Sequence, residues 1–498
     1  MSHKTSRRNF LRSAALTTGA LAAPAEAISS QSSSPKRQPN ILMICADQFR
    51  TDFIGANNAN PSVRTPHLNA LAARGVNFRH AVCNQPLCSP SRASFLTGVT
   101  ATQAKVWRLG LELDHSIPSI ASVLKSSGYT TAFCGKWHVS KVGPGPEREV
   151  TRPGQPVEKL PNTDSRGLVP RGPSRAGFDD VFEGANVLEI VSHPYEGNYW
   201  DTSGNNIGFR DEYRVDFITD RSVEFIRQPH DKPWLLFVSQ LEPHQQNDVD
   251  RMVPPKRYAD TYDDAFVPHD LRQLPGNWQT RLPGYYGCVQ AIDDCVGKLT
   301  GALEASGQLD NTIIVFFSDH GCTFRTRLGE YKRSPHDASI RVPLLFAGPG
   351  FEPETTVDEV VSLIDMTPTL LNAAGAEIPS SMTGKSLLPL THGGEARKNW
   401  PSEAYIQISS SICGRAIRTK DWMYCAYDPA IAHGNAELSH NYTDFALYSI
   451  GGDPYQQVNL VGREMYRDIC DELRDRLKQM IVAHGEPEPT ITPHLFYA

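Results

Sequence analysis

Residues 39–48, PNILMICADQ, hold a short and nearly continuous apolar run that ends at Asp47. A run of this length and composition is typical of a strand buried on both faces of a parallel sheet. The same pattern returns in four later segments: YTTAFCGKWH (129–138), KPWLLFVSQLEPH (232–244), NTIIVFFSDHG (311–321) and RVPLLFAGPG (341–350). These five segments predict the strands of one large sheet.

Helical stretches lie between these strands: TPHLNALAARGV (65–76), SIPSIASVLKSSGY (116–129), AIDDCVGKLTGALEASGQ (291–308) and IDMTPTLLNAAG (364–375). Strands that alternate with helices predict an α/β fold with a large mixed, mostly parallel sheet flanked by helices. The texture changes near residue 396. The segments 402–427 and 444–460 predict antiparallel strands, and 466–485 predicts an amphipathic helix. We therefore expect a catalytic domain over 39–395 and a smaller C-terminal antiparallel-sheet subdomain over 396–498.

The composition excludes some classes of partner. The 498 residues carry a formal net charge of -6, which gives no reason to expect nucleic acid or an anionic membrane surface as partner. No run reaches the ~20 apolar residues of a spanning helix, so no membrane span is predicted.

The N-terminus has the features of an export signal. SRRNFLR (6–12) places Arg7 and Arg8 ahead of a weakly apolar stretch that ends in the small residues AEA (25–27). Residues 1–27 therefore resemble a bacterial twin-arginine signal peptide, and 28–38 predict a flexible linker. We expect a periplasmic or secreted protein.

Polar side chains follow four of the predicted strands directly. Ligands of such sheets bind beyond the carboxyl ends of the strands, so these residues are expected at one edge of the sheet. They are Asp47, Lys136, His138, His244, Asp319 and His320. The carboxylates suit a hard divalent cation, and the lysines and histidines, with Lys332, suit a tetrahedral oxyanion such as sulfate or phosphate.

Cys88 belongs to CNQPLCSPSRASFLTG (83–98). From the residues alone a disulfide, a metal thiolate, a nucleophile and a buried thiol all remain open. A thiolate nucleophile is a soft ligand that matches poorly with a hard cation. The ten cysteines have irregular spacing without a C-x-x-C pair. Cys413 and Cys425 could face each other across a hairpin, and most of the others are expected to be small buried hydrophobes.

CSPSRASFLTG (88–98) resembles the signature of the type I sulfatases, members of the alkaline-phosphatase-like superfamily: C-x-P-x-R followed closely by L-T-G. Further segments resemble that family in order, including GYTTAFCGKWHVSK (128–141), VFFSDHG (315–321) and LYSIGGDPYQQVNL (447–460). The resemblance implies that a formylglycine-generating enzyme oxidises Cys88 to Cα-formylglycine. Hydrated formylglycine offers oxygen in place of sulfur, which removes the mismatch with a hard cation.

The resemblance also implies a role for each site residue. Asp47, Cys88, Asp319 and His320 would hold one divalent metal, calcium, with magnesium and manganese as alternatives. Arg92 would hold the nucleophile and the metal-bound oxygens in place. Lys136 and Lys332 would bind the sulfate oxygens. His244 would bind sulfate and protonate the leaving oxygen. His138 would take a proton from the second hydroxyl of formylglycine, so that the covalent sulfate ester collapses back to the aldehyde.

One departure from the family pattern concerns the first strand. Many sulfatases carry two adjacent aspartates there; the first position is here assigned to Ala46, which leaves Asp47, and Asp52 is a candidate substitute. Such a reduced ligand set is similar to that of choline sulfatases and phosphonate monoester hydrolases. The predicted function is an exported sulfatase acting on a sulfated carbohydrate or small molecule. The alternatives are a phosphonate monoester or phosphodiester hydrolase, and a non-catalytic sugar-binding protein with unmodified Cys88.

Further candidates for the substrate pocket rest on position alone. They are Arg108, His193, His336, Asp337 and Arg415, together with the loops 141–210 and 245–282.

Overall fold

A computed structural model describes residues 38–142, 147–150, 158–161 and 164–496. The predicted signal peptide and all but the last residue of the linker lie outside these residues. A nine-stranded mixed sheet forms the centre of the fold. Its strands are β1 (Asn40–Asp47), β2 (Gly75–Val82), β3 (Thr130–Lys136), β4 (Val181–Ala185), β5 (Trp234–Pro243), β6 (Thr312–Ser318), β7 (Arg341–Val342), β8 (Leu344–Ala347) and β9 (Thr355–Ser362).

The order of the strands is β7-β2-β8-β6-β1-β5-β3-β4, and β9 pairs with β2. The four strands that carry the predicted site residues are adjacent, in the order β6-β1-β5-β3. All three pairings among them are parallel, so their carboxyl ends lie at one edge of the sheet. Antiparallel pairs occur where β8 meets β6 and β2, and where β7 meets β2. The prediction of a mixed, mostly parallel sheet is confirmed.

Helices cover both faces of this sheet. The longer ones are α1 (Pro66–Ala73), α2 (Cys88–Thr97), α3 (Ile120–Ser126), α4 (Arg214–Arg227), α5 (Trp278–Ala305) and α6 (Met366–Ala373), whereas α7 (Arg467–Ala483) packs on the C-terminal strands within 403–428. Short helices span Asp164–Gly167, Leu188–Val191, His269–Arg272, Asp337–Ile340, Leu388–Thr391 and Glu395–Lys398. Within the described residues, no helix has both the length and the apolar character needed to cross a membrane.

The alternation of side chains along β1 explains why its sequence is apolar throughout. Ile41, Met43 and Cys45 pack into the core on one face, whereas Leu42 and Ile44 pack into the core on the other. Both faces of a strand in a doubly covered sheet are buried, and all eight residues of β1 are buried here. The apolar run that opens the chain's fold thus forms the middle of the sheet.

A second sheet is formed by the C-terminal part of the chain. Its strands are β10 (Glu403–Ile408), β11 (Cys413–Thr419), β12 (Trp422–Asp428), β13 (Asn441–Ser449) and β14 (Thr490–Thr492), in chain order. All pairings are antiparallel except that of β13 with β14. Ala404, Ile406 and Met423 belong to the same apolar core as one face of the large sheet. The second sheet therefore shares a core with the first domain. Smaller sheets are formed by Glu147–Val150 with Glu158–Pro161, and by Ser192–His193, Glu196–Gly197 and Phe209–Arg210.

The expectation for Cys413 and Cys425 is wrong. In the register of β11 and β12, Cys413 pairs with Asp428 and Cys425 pairs with Ala416, so the two thiols do not face each other. All ten cysteines are free and buried.

Two further elements differ from the sequence-based expectation. Helix α5 begins 13 residues before the predicted segment at 291, because the stretch from Trp278 continues the helix through Pro283. The apolar positions of α4 were not assigned to a helix. Its buried residues Ile218, Phe225 and Ile226 pack on the same sheet face as α5.

Gly135 explains how β3 delivers its last residues to the site. Its φ is +122°, and a Cβ atom there would lie 1.9 Å from the carbonyl oxygen of Ser239 on β5. A backbone in this region with such a close neighbouring carbonyl admits only glycine. This glycine therefore lets β3 pair with β5 immediately before Lys136.

We expect G135A to lower the free energy of unfolding by about 3 kcal/mol or more, because the added methyl group collides with backbone that cannot move independently. Urea unfolding followed by circular dichroism measures the change. The matched control is G301A in α5, where a Cβ atom meets nothing within 4 Å. This control should stabilise the protein by about 0.5–1 kcal/mol. Equal stability of the two variants would contradict the role given to Gly135.

Candidate active site

The predicted site residues meet at the carboxyl edge of β6, β1, β5 and β3. Asp47 ends β1, Lys136 ends β3, His244 follows β5, and Asp319 and His320 follow β6. Cys88 is the first residue of α2, which begins beside these strand ends. Cys88, Asp47, Lys136, His244, Asp319, His320 and Lys332 are all buried. The prediction that four strand ends converge on one site is confirmed.

Cys88 lies among cationic groups and potential metal ligands. Its Sγ atom is 2.8 Å from Lys332 Nζ, 3.2 Å from His320 Nε2 and 3.7 Å from Lys136 Nζ. The Oδ1 atom of Asp47 is 3.6 Å away. Burial raises the pKa of the Cys88 thiol, but Lys136, Lys332 and His320 outweigh this effect and lower the pKa well below its usual value. Such surroundings are typical of a reactive cysteine rather than of a structural thiol.

Arg92 lies one turn along α2 and contacts all four strands. Its Nε atom is 3.1 Å from Asp319 Oδ2, and its Nη2 atom is 3.3 Å from Asp47 Oδ2. Its Nη1 atom donates to the carbonyl oxygen of Lys136 at 2.9 Å and to Ser239 Oγ at 2.8 Å. The guanidinium is fully buried, so it holds both aspartates in place without solvent screening.

Lys136 forms two buried ion pairs. Its Nζ atom is 2.7 Å from Asp47 Oδ2 and 3.0 Å from Glu189 Oε1. Burial and the neighbouring Cys88 raise the pKa of Asp47, yet Lys136, His244 and His320 bring it well below its usual value. Asp47 is therefore ionised and able to act as an anionic ligand.

No motif in the sequence marks Glu189, which also belongs to the site. This residue lies in the short helix Leu188–Val191, within the apolar segment NVLEIV (186–191). A single charged residue in an apolar segment is a weak signal for a buried carboxylate. Burial raises the pKa of Glu189, but Lys136 and His138 lower it to about 2, so the group is ionised at neutral pH.

The backbone carbonyls determine which nitrogen of each histidine faces the site. His320 Nδ1 lies 2.9 Å from the carbonyl oxygen of Gly321, and His244 Nδ1 lies 2.6 Å from that of Gln245. Because a carbonyl oxygen only accepts hydrogen bonds, Nδ1 carries the proton in both rings. The Nε2 atoms are directed to the site, where Lys332 Nζ lies 3.2 Å from His320 and 3.4 Å from His244.

Four side chains form a group that could hold a metal ion. One ligand atom from each of Asp47, Cys88, Asp319 and His320 lies within 4.8 Å of the others. Gln48 lies next to this group: its backbone N–H donates to Asp319 Oδ1 at 3.2 Å, and its side-chain Nε2 donates to Cys322 Sγ at 3.2 Å. The buried Oε1 atom of Gln48 has no hydrogen-bond partner within the described residues. The four side chains of the group agree with the predicted ligands.

The prediction that Ala46 occupies the first acidic position of the motif is wrong. Ala46 packs into the apolar core, so the position beside Asp47 at the site is that of Gln48. Asp52 does not compensate, since its carboxylate accepts two hydrogen bonds from Arg50 at 2.8 Å. The motif of two adjacent acids therefore corresponds to Asp47 and Gln48. The signal for this alignment in the sequence is the polar residue immediately after Asp47.

The five additional pocket candidates are not brought to Cys88. His336 and Asp337 line a separate cavity of about 390 Å³ with Arg50 and Asp270, and burial lowers the pKa of His336 to about 3. Asp337 is paired there with Arg418.

Arg415 lies in the second sheet and forms a buried ion pair with Glu486 at 2.7 Å. His193 is exposed beside Asp248, and the guanidinium of Arg108 packs on the Trp107 ring. Part of the segment 141–210 lies outside the described residues.

Comparison with known proteins adds independent findings. The sulfatase family model matches residues 39–376, and the model of the N-sulphoglucosamine sulphohydrolase C-terminal region matches 329–483. The chain is 29% identical to an ulvan-active sulfatase of Formosa agariphila over 468 residues, which cover 90% of this chain and 82% of the relative. It is also 29% identical to a choline-sulfatase of Rhizobium meliloti over 461 residues, 85% of this chain and 82% of the relative.

A solved structure shares the fold. It is in complex with its substrate D-glucosamine-2-N,6-O-disulfate, has a TM-score of 0.69 and 21% identity, and covers 91% of this chain and 99% of its own. The family model alone accounts for more than half of the chain, over the residues that carry the site. The chain belongs to the type I sulfatases of the alkaline-phosphatase-like superfamily and is a sulfuric ester hydrolase.

Proposed function

We propose that this protein is an exported sulfatase that hydrolyses a sulfate ester of a carbohydrate, with formylglycine made from Cys88 as nucleophile and one divalent cation. The observation that carries the proposal is the position of Cys88. Its Sγ atom lies between the cationic Nζ atom of Lys332 and the carboxylate of Asp47, in a group able to bind a metal. Cys88 therefore lies next to a lysine that could bind an oxyanion and among residues that could bind a cation.

The donor set fits a hard cation better than a soft one. Asp47 and Asp319 offer carboxylate oxygens and His320 offers Nε2. The neighbouring Gln48 has a buried amide oxygen that is without a partner among the described residues, and it would be a further candidate ligand. Oxygen-rich sets of this kind suit calcium, with magnesium and manganese as alternatives. When bound, the cation supplies positive charge that favours an ionised oxygen nucleophile and an anionic ester. A thiolate at Cys88 is the one poor ligand, and its conversion to formylglycine by a generating enzyme would replace it with oxygen.

The remaining side chains support the chemistry of ester cleavage. The Nζ atoms of Lys136 and Lys332 lie 3.7 Å and 2.8 Å from Cys88 Sγ. Both lysines would bind sulfate oxygens as compact cations. His244 presents Nε2 3.4 Å from Lys332, where it would protonate the leaving oxygen. His138 would accept the proton of the second formylglycine hydroxyl when the sulfate ester collapses to the aldehyde. Arg92 would keep the two aspartates in the arrangement that the cation needs.

A carbohydrate ester is favoured over a small-molecule ester by two similar proteins. One is named for activity on ulvan, and the other was solved with a disulfated glucosamine. The choline-sulfatase is an equally similar relative that is named for a different alcohol. The choice between these substrates is therefore the first matter for experiment.

We expect the enzyme, produced together with a formylglycine-generating enzyme, to cleave members of a panel of defined sulfated oligosaccharides. The same preparation should act much more slowly on aryl phosphonate and phosphodiester esters. Replacement of Cys88 by alanine should lower turnover by about 10³-fold or more, because the nucleophile is lost. The matched control is C83A, which removes a buried cysteine five residues upstream.

Mass analysis of the peptide that contains Cys88 tests the modification in the same samples. The tryptic peptide 80–92 should have the lower mass of the aldehyde in both proteins; it should take up one alkyl group in wild type, at Cys83, and none in C83A. An intact thiol in fully active enzyme would contradict the proposed nucleophile. Faster cleavage of the phosphonate or phosphodiester would identify the alternative hydrolase. An intact thiol without any turnover would favour the non-catalytic sugar-binding protein.

The role of His244 predicts a dependence on the leaving group. We expect H244Q to slow sugar sulfates by about 10²–10⁴-fold, because an alkoxide needs a proton to depart. Activated aryl sulfates, whose leaving groups are weak bases, should be slowed far less. Rates measured against leaving-group pKa provide the test, with H115Q at a partly exposed position as control. Equal losses for all esters would exclude His244 as the proton donor.

Export is proposed from the N-terminal segment, which lies outside the described residues. Replacement of both Arg7 and Arg8 by lysine should retain folded enzyme in the cytoplasm of a host with twin-arginine transport. Replacement of Arg12 alone should leave export unchanged. Cell fractionation followed by sulfatase assay measures the distribution. Unchanged export of the double variant would contradict the twin-arginine route.

A further inference from the structure

Glu189 is a buried carboxylate in the site that none of the motif residues accounts for. Its Oε1 atom is 3.0 Å from Lys136 Nζ and 3.8 Å from His138 Nδ1. Only 7% of the residue is exposed, so water does not screen these interactions. The carboxylate therefore acts on the side chain that would bind sulfate and on the one that would accept a proton.

Two polar atoms at this point lack a hydrogen bond. Within the part of the chain that the structure describes, neither His138 Nδ1 nor Glu189 Oε2 has a partner. Buried polar atoms in native proteins are nearly always paired, so each such atom calls for an explanation. The 3.8 Å between His138 Nδ1 and Glu189 Oε1 is too long for a hydrogen bond. Catalytic hydrogen bonds are, however, often long before substrate binds. The two side chains are thus suited to each other and close enough to pair after a small movement.

The position of Glu189 is fixed by the segment that carries His244. Gln246 Nε2 donates to the carbonyl oxygen of Glu189 at 3.2 Å and to that of Ser192 at 3.1 Å. Arg214 Nη1 in turn donates to Gln246 Oε1 at 3.3 Å. Hydrogen bonds from Gln246, two residues beyond His244, therefore hold the backbone of the short helix Leu188–Val191 in place. Such support is expected of a group whose placement matters, and an incidental ion pair does not require it.

The backbone of His138 is also specialised. Its φ is +65°, a left-handed conformation that is unfavourable for a residue other than glycine. Strain of this kind persists where the surroundings hold a residue in one orientation, and it is frequent at functional sites. The backbone thus turns the His138 ring toward Cys88, whose thiol pKa His138 helps to lower, with Nδ1 on the side of Glu189.

We propose that Glu189 is a positioning residue that keeps the proton of His138 on Nδ1 and holds Lys136 beside the nucleophile. The carboxylate can only accept a hydrogen bond, so His138 must direct an N–H group to it. The Nε2 lone pair of His138 is then free to accept the proton of the second formylglycine hydroxyl. Glu189 stabilises the imidazolium that results. This inference rests on the proposed function, because it assigns His138 the part of proton acceptor in ester hydrolysis.

The kinetic test compares three variants under conditions that give full conversion of Cys88. E189Q keeps the shape and removes the charge, E189D keeps the charge at a shorter reach, and E196Q is a control at an exposed ion pair of the same region. We expect E189Q to lower kcat by about 10–100-fold, with KM changed by less than about threefold. E189D should recover part of the loss, and E196Q should match wild type.

A spectroscopic test does not depend on activity. Nitrogen-15 NMR of protein labelled at histidine should show the His138 ring protonated at Nδ1, with its signal assigned from its absence in H138N. E189Q should lose this preference. If wild type were inactive on every ester, the proposed function would fail. The tautomer of His138 in wild type and E189Q would still test the role of Glu189. An unchanged tautomer in E189Q, or a kcat equal to that of wild type, would overturn the proposal. So would equal losses in E189Q and E189D with lowered thermal stability.

Discussion

The contacts of one guanidinium with residues on or directly after four strands organise this molecule. Arg92 binds Asp47 at the end of β1 and Asp319 directly after β6, and it donates to the Lys136 carbonyl on β3 and to Ser239 on β5. It extends from α2, the helix that begins at Cys88. The planar fork of arginine is suited to such a task, because its several N–H groups have fixed directions. The nucleophile position is thereby fixed relative to every strand that supplies a site residue.

This arrangement also explains why the site can be so deeply buried. Isolated charges inside a protein are strongly unfavourable, and they persist only when each is paired and hydrogen-bonded. Asp47 is shared between Arg92 and Lys136, and Lys136 is shared between Asp47 and Glu189. The charges thus form a chain in which each group compensates its neighbours. Removing one member leaves another uncompensated, which links the stability of the site to its chemistry.

Much of this site could be predicted from sequence, and the reason lies in the topology. Apolar runs marked the buried strands, and the parallel arrangement placed the residues after them at one edge. Asp47, His244 and Asp319 could be found in this way because each directly follows such a run. Gln48 was passed over because an amide carries no charge and the acidic motif was aligned one residue too early. The backbone of Gln48, through its bond to Asp319, shows the correct alignment.

Glu189 and the strand register of the second sheet illustrate what sequence could not provide. Glu189 reaches the site from a short helix between β4 and α4, and its partners Lys136 and His138 are about fifty residues earlier in the chain. No local pattern predicts such a contact, since it depends on how a connecting segment folds over the sheet edge. The supposed pairing of Cys413 with Cys425 failed for a related reason. Strand register sets cross-strand partners, and here it places Ala416 opposite Cys425.

The charges around Cys88 bear on the charge of the ester that the proposed enzyme would accept. Leaving the histidines aside, the carboxylates of Asp47, Asp319 and Glu189 balance the cations Arg92, Lys136 and Lys332. With an uncharged formylglycine hydrate and one divalent cation, the site would carry a net charge of about two positive units. A sulfate monoester has a single negative charge, so it enters an environment that remains positive. The sulfate dianion released at the end would neutralise that charge without exceeding it. In this balance Glu189 offsets the positive charge of Lys136, so under the proposed mechanism it would weaken the retention of a dianionic product.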